Sequence, residues 1–312
     1  MARRFFWLTV IILFVLTGYA GGWYWAAGRL VDEVRARTGK ETAFGRVECT
    51  NPEARGFPFR IGLFCDSIGV ERSGVALSAG ALRSAAQIYN PFRLVAETDG
   101  PAQLDIAGLV PFDIAWDSAR ASARLAMPLP ETVSTEFVKV SATARMSDSP
   151  QVLAAERLEL HGRQNGRDLD VAMRFDGLSF GAALIGGELP PVSGIADIAY
   201  VDGVARFGRS LRGGKFTVRK LDIAGAGQAR LTATGTASVR GDGLVDADLV
   251  LTATDLASVG AAMVEAFPQS ASQIASVFAG LSALGAQPSL PLTIRAGAVS
   301  LGFVPIGDLP PI

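Results

Sequence analysis

The chain has 312 residues, a formal net charge of −1, a sequence pI near 6.0, 49% hydrophobic residues and a mean hydropathy of +0.31. Lys and Arg do not gather outside the extreme N-terminus, so the basic footprint of a nucleic-acid binder is absent, while the length suffices for one large or two ordinary domains with a core. The 35 glycines and 16 prolines predict the many turns of an all-β chain.

Phe5 to Ala27 carries no charge. At ~1.5 Å per residue this stretch crosses a ~30 Å hydrocarbon core once. Arg3 and Arg4 precede it, and Trp23, Tyr24 and Trp25 close it as an interfacial aromatic belt does. Residues 1–28 are therefore read as a membrane anchor and 29–312 as the body. A cleaved signal peptide is the rival reading, with Gly18-Tyr19-Ala20 as the small-x-small site. Arg29, Arg35, Arg37 and Lys40 outnumber the two N-terminal arginines, but large domains translocate largely regardless of flanking charge. The expected placement is a single pass through the inner membrane with the body in the periplasm.

Arg29 to Thr38 predicts a short amphipathic helix ended by Gly39. Cys49 and Cys65 form an even pair that fits an oxidising compartment, with two buried free thiols as the alternative. A bridge closing a loop of about 16 residues contributes roughly 3 kcal/mol in the chain-entropy account. Asn51-Pro52-Glu53 turns the chain between them, and Pro58 in Gly56-Phe57-Pro58-Phe59-Arg60 predicts an edge strand or a bulge.

Extended segments then recur every 10 to 15 residues or so. Phe112, Ile114 and Trp116 share one phase, whereas Ala119, Ala121, Ala123 and Leu125 share the other, which predicts a bulge near Asp117. Gln151 to Asp176 is a hairpin turning at Asn165-Gly166, with Leu169, Val171, Met173 and Phe175 on one side. Residues 178–194 are rich in Gly and Pro and read as a loop or a seam in the sheet. Strands resume over Ile195–Phe207 and Lys215–Ala224, the latter changing phase at Arg219-Lys220.

Gln228 to Thr254 is the clearest hairpin. Ala229, Leu231, Ala233, Ala237 and Val239 alternate with polar residues, Gly241-Asp242-Gly243 turns, and Val245, Ala247, Leu249 and Leu251 continue the apolar phase. Asp255 then caps a helix carrying Leu256, Val259, Met263 and Phe267, and Pro268 ends it. A second helix carries Ile274, Val277, Phe278, Leu281 and Leu284. The pair is expected to plug or cover one end of the sheet. Ser289 to Leu301 alternates again before an extended, proline-containing end.

Candidate chemistry is sparse. His161, the lone histidine, lies at a strand end without a serine elbow or cysteine partner. Gly225-Ala226-Gly227 lacks the third glycine of a dinucleotide fingerprint. Asp242, Asp246 and Asp248 miss the spacing of a calcium loop, and Asp105 with Asp113 or Glu156 with Glu159 are ordinary strand-face carboxylates. No enzyme class, metal or cofactor is indicated.

Gly56-Phe57-Pro58-Phe59-Arg60 followed by Cys65, Tyr89-Asn90-Pro91, and Pro305-Ile306-Gly307-x-Leu309-Pro310, together with the anchor, resemble a domain-of-unknown-function family of single-pass bacterial envelope proteins. More distantly, one anchor followed by many strands is similar to the AsmA-like group, whose resemblance implies a groove-shaped sheet and lipid movement between membranes. The expected fold is mainly β, with a transmembrane helix, a long, curved, mostly antiparallel groove-like sheet and two short C-terminal helices. Two functions follow. One is a non-catalytic groove that binds or moves phospholipid, lined by Val171, Met173, Phe175, Leu231, Val239, Leu249 and Leu251. The other is an envelope scaffold with a closed β core that recruits protein partners. A lipid hydrolase is a third option without a triad to support it.

Overall fold

A computed structural model describes residues 2–42, 45–182, 187, 189–225, 227–283, 285 and 287–312. Helix α1 (Ala2–Arg37) runs unbroken for 36 residues, so the anchor and the expected second helix are one element. Nothing between Ala27 and Arg35 opposes helix except Gly28. The Thr38 hydroxyl and amide both donate to the Val34 carbonyl, and Gly39 at φ 74° turns the chain out.

The first strands are β1 (Glu41–Thr42), β2 (Gly45–Thr50), β3 (Glu53–Arg55), β4 (Arg60–Cys65), β5 (Ser67–Arg72), β6 (Val75–Ala79), β7 (Leu82–Gln87) and β8 (Asn90–Thr98). Next come β9 (Ala102–Ile106), β10 (Phe112–Ala115), β11 (Ser118–Arg124), β12 (Thr132–Ala144), β13 (Gln151–Asn165), β14 (Asp168–Phe180) and β15 (Val192–Val201). Helix α2 (Gly203–Arg206) leads to β16 (Lys215–Ala224), β17 (Arg230–Val239) and β18 (Val245–Thr254). Helices α3 (Leu256–Ala266) and α4 (Ala271–Ser282) flank the 3₁₀ turn Pro268–Ser270, and β19 (Ser289–Arg295), β20 (Ala298–Leu301) and β21 (Val304–Asp308) finish the chain.

All pairings are antiparallel, and the strands form one meander in which each pass pairs with the next. Five passes are creased into two segments each: β2 with β3, β4 with β5, β6 with β7, β8 with β9, and β10 with β11. The outer segments pair among themselves, as in β2–β5, β5–β6, β6–β9 and β9–β10, and so do the inner ones, as in β3–β4, β4–β7, β7–β8 and β8–β11. Both β10 and β11 then pair along the single long strand β12. The break at Trp116-Asp117 is the phase change seen in the sequence. Along the same crease Asn51, Lys139 and Gly177 take φ of 49°, 50° and 63°, which resets the alternation so that Phe137 and Val140 both turn inward.

From β12 to β21 the meander continues by simple neighbour pairing, including β14 with β15 across residues 178–194, where the register shifts between Phe175 and Leu178. Among the described residues, β1 pairs only with β2 and β21 only with β20, so the sheet has two free edges and is not closed. Three local expectations need correction. Gly56-Phe57-Pro58-Phe59 is the β3–β4 turn, because Arg60 N–H bonds back to the Gly56 carbonyl and leaves Pro58 outside the ladder. Gly203–Arg206 is helical, ending β15 at Val201. Ser289–Leu301 is a hairpin, turned at Ala296-Gly297 with φ of 49° and 86°. Leu284 and Ala226 lie outside the described residues.

The sheet is strongly curled. Arg72, in phase with Ile68 and Val70, donates to the Gly208 carbonyl at 2.8 Å. Those residues belong to passes seven steps apart, ~34 Å on a flat sheet at ~4.8 Å per step, so the apolar side is the inside of the curl. Cys49 and Cys65 join β2 to β4 at the crease, with Cα atoms 5.4 Å apart. The inner side is packed by small residues such as Ala102, Ala119, Ala155, Ala233 and Ala247, and among the described residues no large apolar side chain is completely buried. That is a thin core for so long a sheet.

Candidate functional site

Directly opposed residues of antiparallel strands lie on the same face, so the register can be read straight across the sheet. One such line runs Ile61, Ala86, Leu94, Ala123, Val133, Gly162, Val171, Ile198, Val218, Gly235, Leu249, Leu292, Leu301. It crosses from β4 to β20 without a polar side chain. Two rows away on the same face runs Cys65, Leu82, Thr98, Ala119, Phe137, Leu158, Phe175, Gly194, Ile223, Leu231, Ala253, with Thr98 its one polar member, and the row between the two carries Met173 and Leu251 together with the hydroxyls of Ser84 and Thr135. A bulge at Arg219-Lys220 keeps Val218 and Leu221 in phase, so the lines survive the irregularity.

All seven lining residues named from the sequence fall on this face. Val171 and Met173 are 40% and 36% exposed, whereas Phe175 is 5% exposed and Val239 is buried; Leu231, Leu249 and Leu251 are half-buried. Phe175 packs across Gly194, where a Cβ would meet its ring at 2.7 Å. It is therefore a floor residue, while Val171 and Met173, with Leu160 and Val133, are open to solvent.

The two C-terminal helices cover one end of the face. Between them and the sheet is a cavity of about 490 Å³ lined by Leu231, Leu251, Val259, Met263, Phe278 and Leu290 among others. Such a volume is in the usual range of small-molecule sites. Helix α3 starts where Asp255 accepts from Ser258 N–H at 3.3 Å, and α4 packs against it at Gly260, where a Cβ would lie 3.0 Å from Phe278. Among the described residues, the polar side chains at the cavity are Ser258, which donates to Asp255 at 2.6 Å, and Arg230, which faces Asp222 at 3.5 Å. Both are occupied at its margin, so among the described residues the chamber offers shape and hydrocarbon contact without a reactive group. The helix stripes were legible in the sequence; the contribution of Leu189, Pro190 and Leu301 from distant segments was not.

The opposite face is charged. Its corresponding line is Phe64, Arg83, Glu97, Arg120, Glu136, Glu159, Arg174, Ile195, Asp222, Thr232, Thr252, Ser289. Arg120 pairs with Glu97 at 3.2 Å and Arg157 with Glu136 at 2.9 Å. A recess of about 710 Å³ includes Arg60, Arg83, Glu97, Arg120 and Glu136, with exposed His161 bonded to Ser134 Oγ at 2.9 Å. Among the described residues Asp170 is the one buried carboxylate of this face. Burial pushes its pKa up, but hydrogen bonds from Arg219 at 2.6 Å and Arg163 at 2.7 Å outweigh that and hold it below the ordinary aspartate value. Asp246 accepts from Ala296 N–H at 2.7 Å and Asp248 pairs with Arg295, which accounts for these two acids structurally. Among the described residues no cluster of three or more His, Cys, Asp or Glu is placed to hold a metal ion.

Helix α1 is long and apolar enough to cross a membrane. A family model for uncharacterised proteins conserved in bacteria, DUF2125, matches residues 23–310. The chain belongs to that family. The DUF2125 match starts at Trp23 in α1 and takes in the whole sheet, the chamber and the tail. Comparison with curated proteins yields no match.

Proposed function

We propose that this DUF2125 protein is a non-catalytic, membrane-anchored lipid carrier of the bacterial envelope, with α1 in the inner membrane and the sheet in the periplasm. The observation that carries the reading is the unbroken apolar line from Ile61 to Leu301 on the inside of an open sheet. Exposing about 15 methylenes to water costs ~12 kcal/mol at ~0.8 kcal/mol each, so a carrier needs continuous hydrocarbon contact from entry to exit. The lines supply it, and the chamber under α3 and α4 closes the far end. The AsmA-like analogy points the same way at the level of architecture. The scaffold alternative is framed on a closed β core, and a sheet that is not closed favours the carrier reading over it.

Site-specific photocrosslinking in the full chain tests it. Benzoylphenylalanine at Val171 or Met173 is expected to give phospholipid adducts on irradiation in cells, detected by mass spectrometry, and none at Arg174 on the other face. Protein adducts at Val171 and Met173 without lipid would instead establish a scaffold.

A further inference from the structure

The inner ends of the strands nearest α1 meet in three consecutive turns on one rim of the sheet: β3–β4, β7–β8 and β11–β12. Their tips are large, apolar and bare. Phe59 is 69% exposed, Tyr89 76%, Phe92 64% and Met127 91%, with Phe57 and Leu125 also exposed. An adjoining set of large exposed apolar residues marks a contact surface when solvent alone gives no reason for it. The next turn on the same rim, Asn165-Gly166-Arg167, is polar, so the apolar tips stop abruptly.

The anchor fixes the level of this rim. Tyr19 Oη donates to the Pro58 carbonyl and Trp23 Nε1 to the Arg60 carbonyl at 2.8 Å, while the Phe57 ring stacks on Tyr24 with centroids 5.7 Å apart. The β3–β4 turn therefore lies beside residues 19–24 of α1, within about the last two and a half turns of the uncharged stretch. Tyr19 is eight residues before Ala27, ~12 Å along the helix axis, so a bilayer matched to that stretch reaches the turn.

Behind the tips stand Arg60, Arg93 and Arg124. Arg93 and Arg124 are directly opposed across β8 and β11, an arrangement that costs free energy unless an anion joins them. Glu131 meets Arg124 at 3.3 Å, but among the described residues neither Arg60 nor Arg93 has a carboxylate within ion-pair distance. Apolar tips with arginines one step behind are the pattern of a surface that sits in the acyl region and meets phosphates above it.

We infer that the three turns carrying Phe57, Phe59, Tyr89, Phe92, Leu125 and Met127 insert into the leaflet that α1 leaves, with Arg60, Arg93 and Arg124 at the phosphate level. The inference rests on α1 spanning the membrane and deepens the carrier reading. Ile61, Ala86, Leu94, Ala123 and Val133, the first members of the apolar line, lie just inside these turns, so a lipid tail passes from leaflet to sheet without crossing water.

The test uses the full chain, with its native disulfide, reconstituted in phosphatidylethanolamine/phosphatidylglycerol vesicles. The fluorophore NBD is attached to a single added cysteine at F59C, Y89C, M127C or, as reference, R167C. Shallow doxyl-lipids are expected to quench the first three, and aqueous iodide to quench them several-fold less than the R167C probe. Equal iodide access at all four overturns the inference. Adding R60Q and R93Q to the labelled chains is expected to move the probes toward water; unchanged depth overturns the phosphate role. The lipid adducts at Val171 report separately on the carrier reading, so rim insertion without adducts, or adducts without insertion, assigns the failure to one or the other.

Discussion

The two faces of this sheet are made by the same strands and the same alternation, yet they are organised differently. Away from the rim beside α1 the charged face pairs within itself: Arg83 with Asp99, Arg120 with Glu97 and Arg145 with Asp113 are exposed ion pairs. Such solvent-screened pairs contribute little to stability and keep the outer surface hydrated. The apolar face is left incomplete, because Val133, Leu160, Val171 and Met173 stay about two-fifths exposed with only a thin alanine-rich packing beneath. The face carries one row kept apolar along thirteen strands and is only partly buried, and that contrast is what the proposed function rests on.

The contrast can be broken at three points. The largest effect is expected at Phe175. Phe175→Ala removes a buried ring from above Gly194 and is expected to cost ~3–5 kcal/mol, against ~0.5 kcal/mol or less for neighbouring Arg174→Ala. Chemical denaturation of the two variants measures the gap, and near-equal losses would show that the inner face is not packed here.

Asp170 comes next, as the exception on the charged face. Asp170→Asn weakens two charge-assisted hydrogen bonds and is expected to cost ~1.5–3 kcal/mol. Because its folded pKa lies below the unfolded value, its contribution is fully present above the ordinary aspartate range and is lost as pH falls through the folded pKa. The stability difference between wild type and Asp170→Asn should therefore shrink on acidification below about pH 4, which denaturation midpoints against pH will show.

The smallest effect on stability is expected from charge placed on exposed Val171 and half-buried Ala172, and it separates the faces most sharply. Val171→Asp and Ala172→Asp should each shift stability by only ~0.5 kcal/mol or so. With the photoprobe at Met173, however, Val171→Asp should abolish lipid adducts and Ala172→Asp should leave them. Equal behaviour would mean that the two faces do not differ in what they bind.

Much of this was legible because β-structure writes one face into every second residue. Asn165-Gly166 and Gly241-Asp242-Gly243 located two turns, and the phase changes at Asp117 and Arg219 marked where strands bend. Local grammar failed where the signal was shared between structures. Pro58 reads equally as an edge strand or as the turn it occupies, and Gly28 is too weak a breaker to split α1. The chamber was invisible because Leu189, Leu231, Met263 and Leu301 are separated by up to more than a hundred residues in the chain.

The sequence by itself determined that α1 can cross a bilayer, that the body is mostly strand, and which residues of each strand share a side, because a period of two is a local steric property of the extended chain. Tertiary structure alone decided that the sides align into an unbroken line, that the sheet curls with its oily side inward yet stays open, and that apolar turns gather beside the anchor. Those outcomes depend on register between strands and on curl accumulated over many of them, and neither is encoded within any one strand.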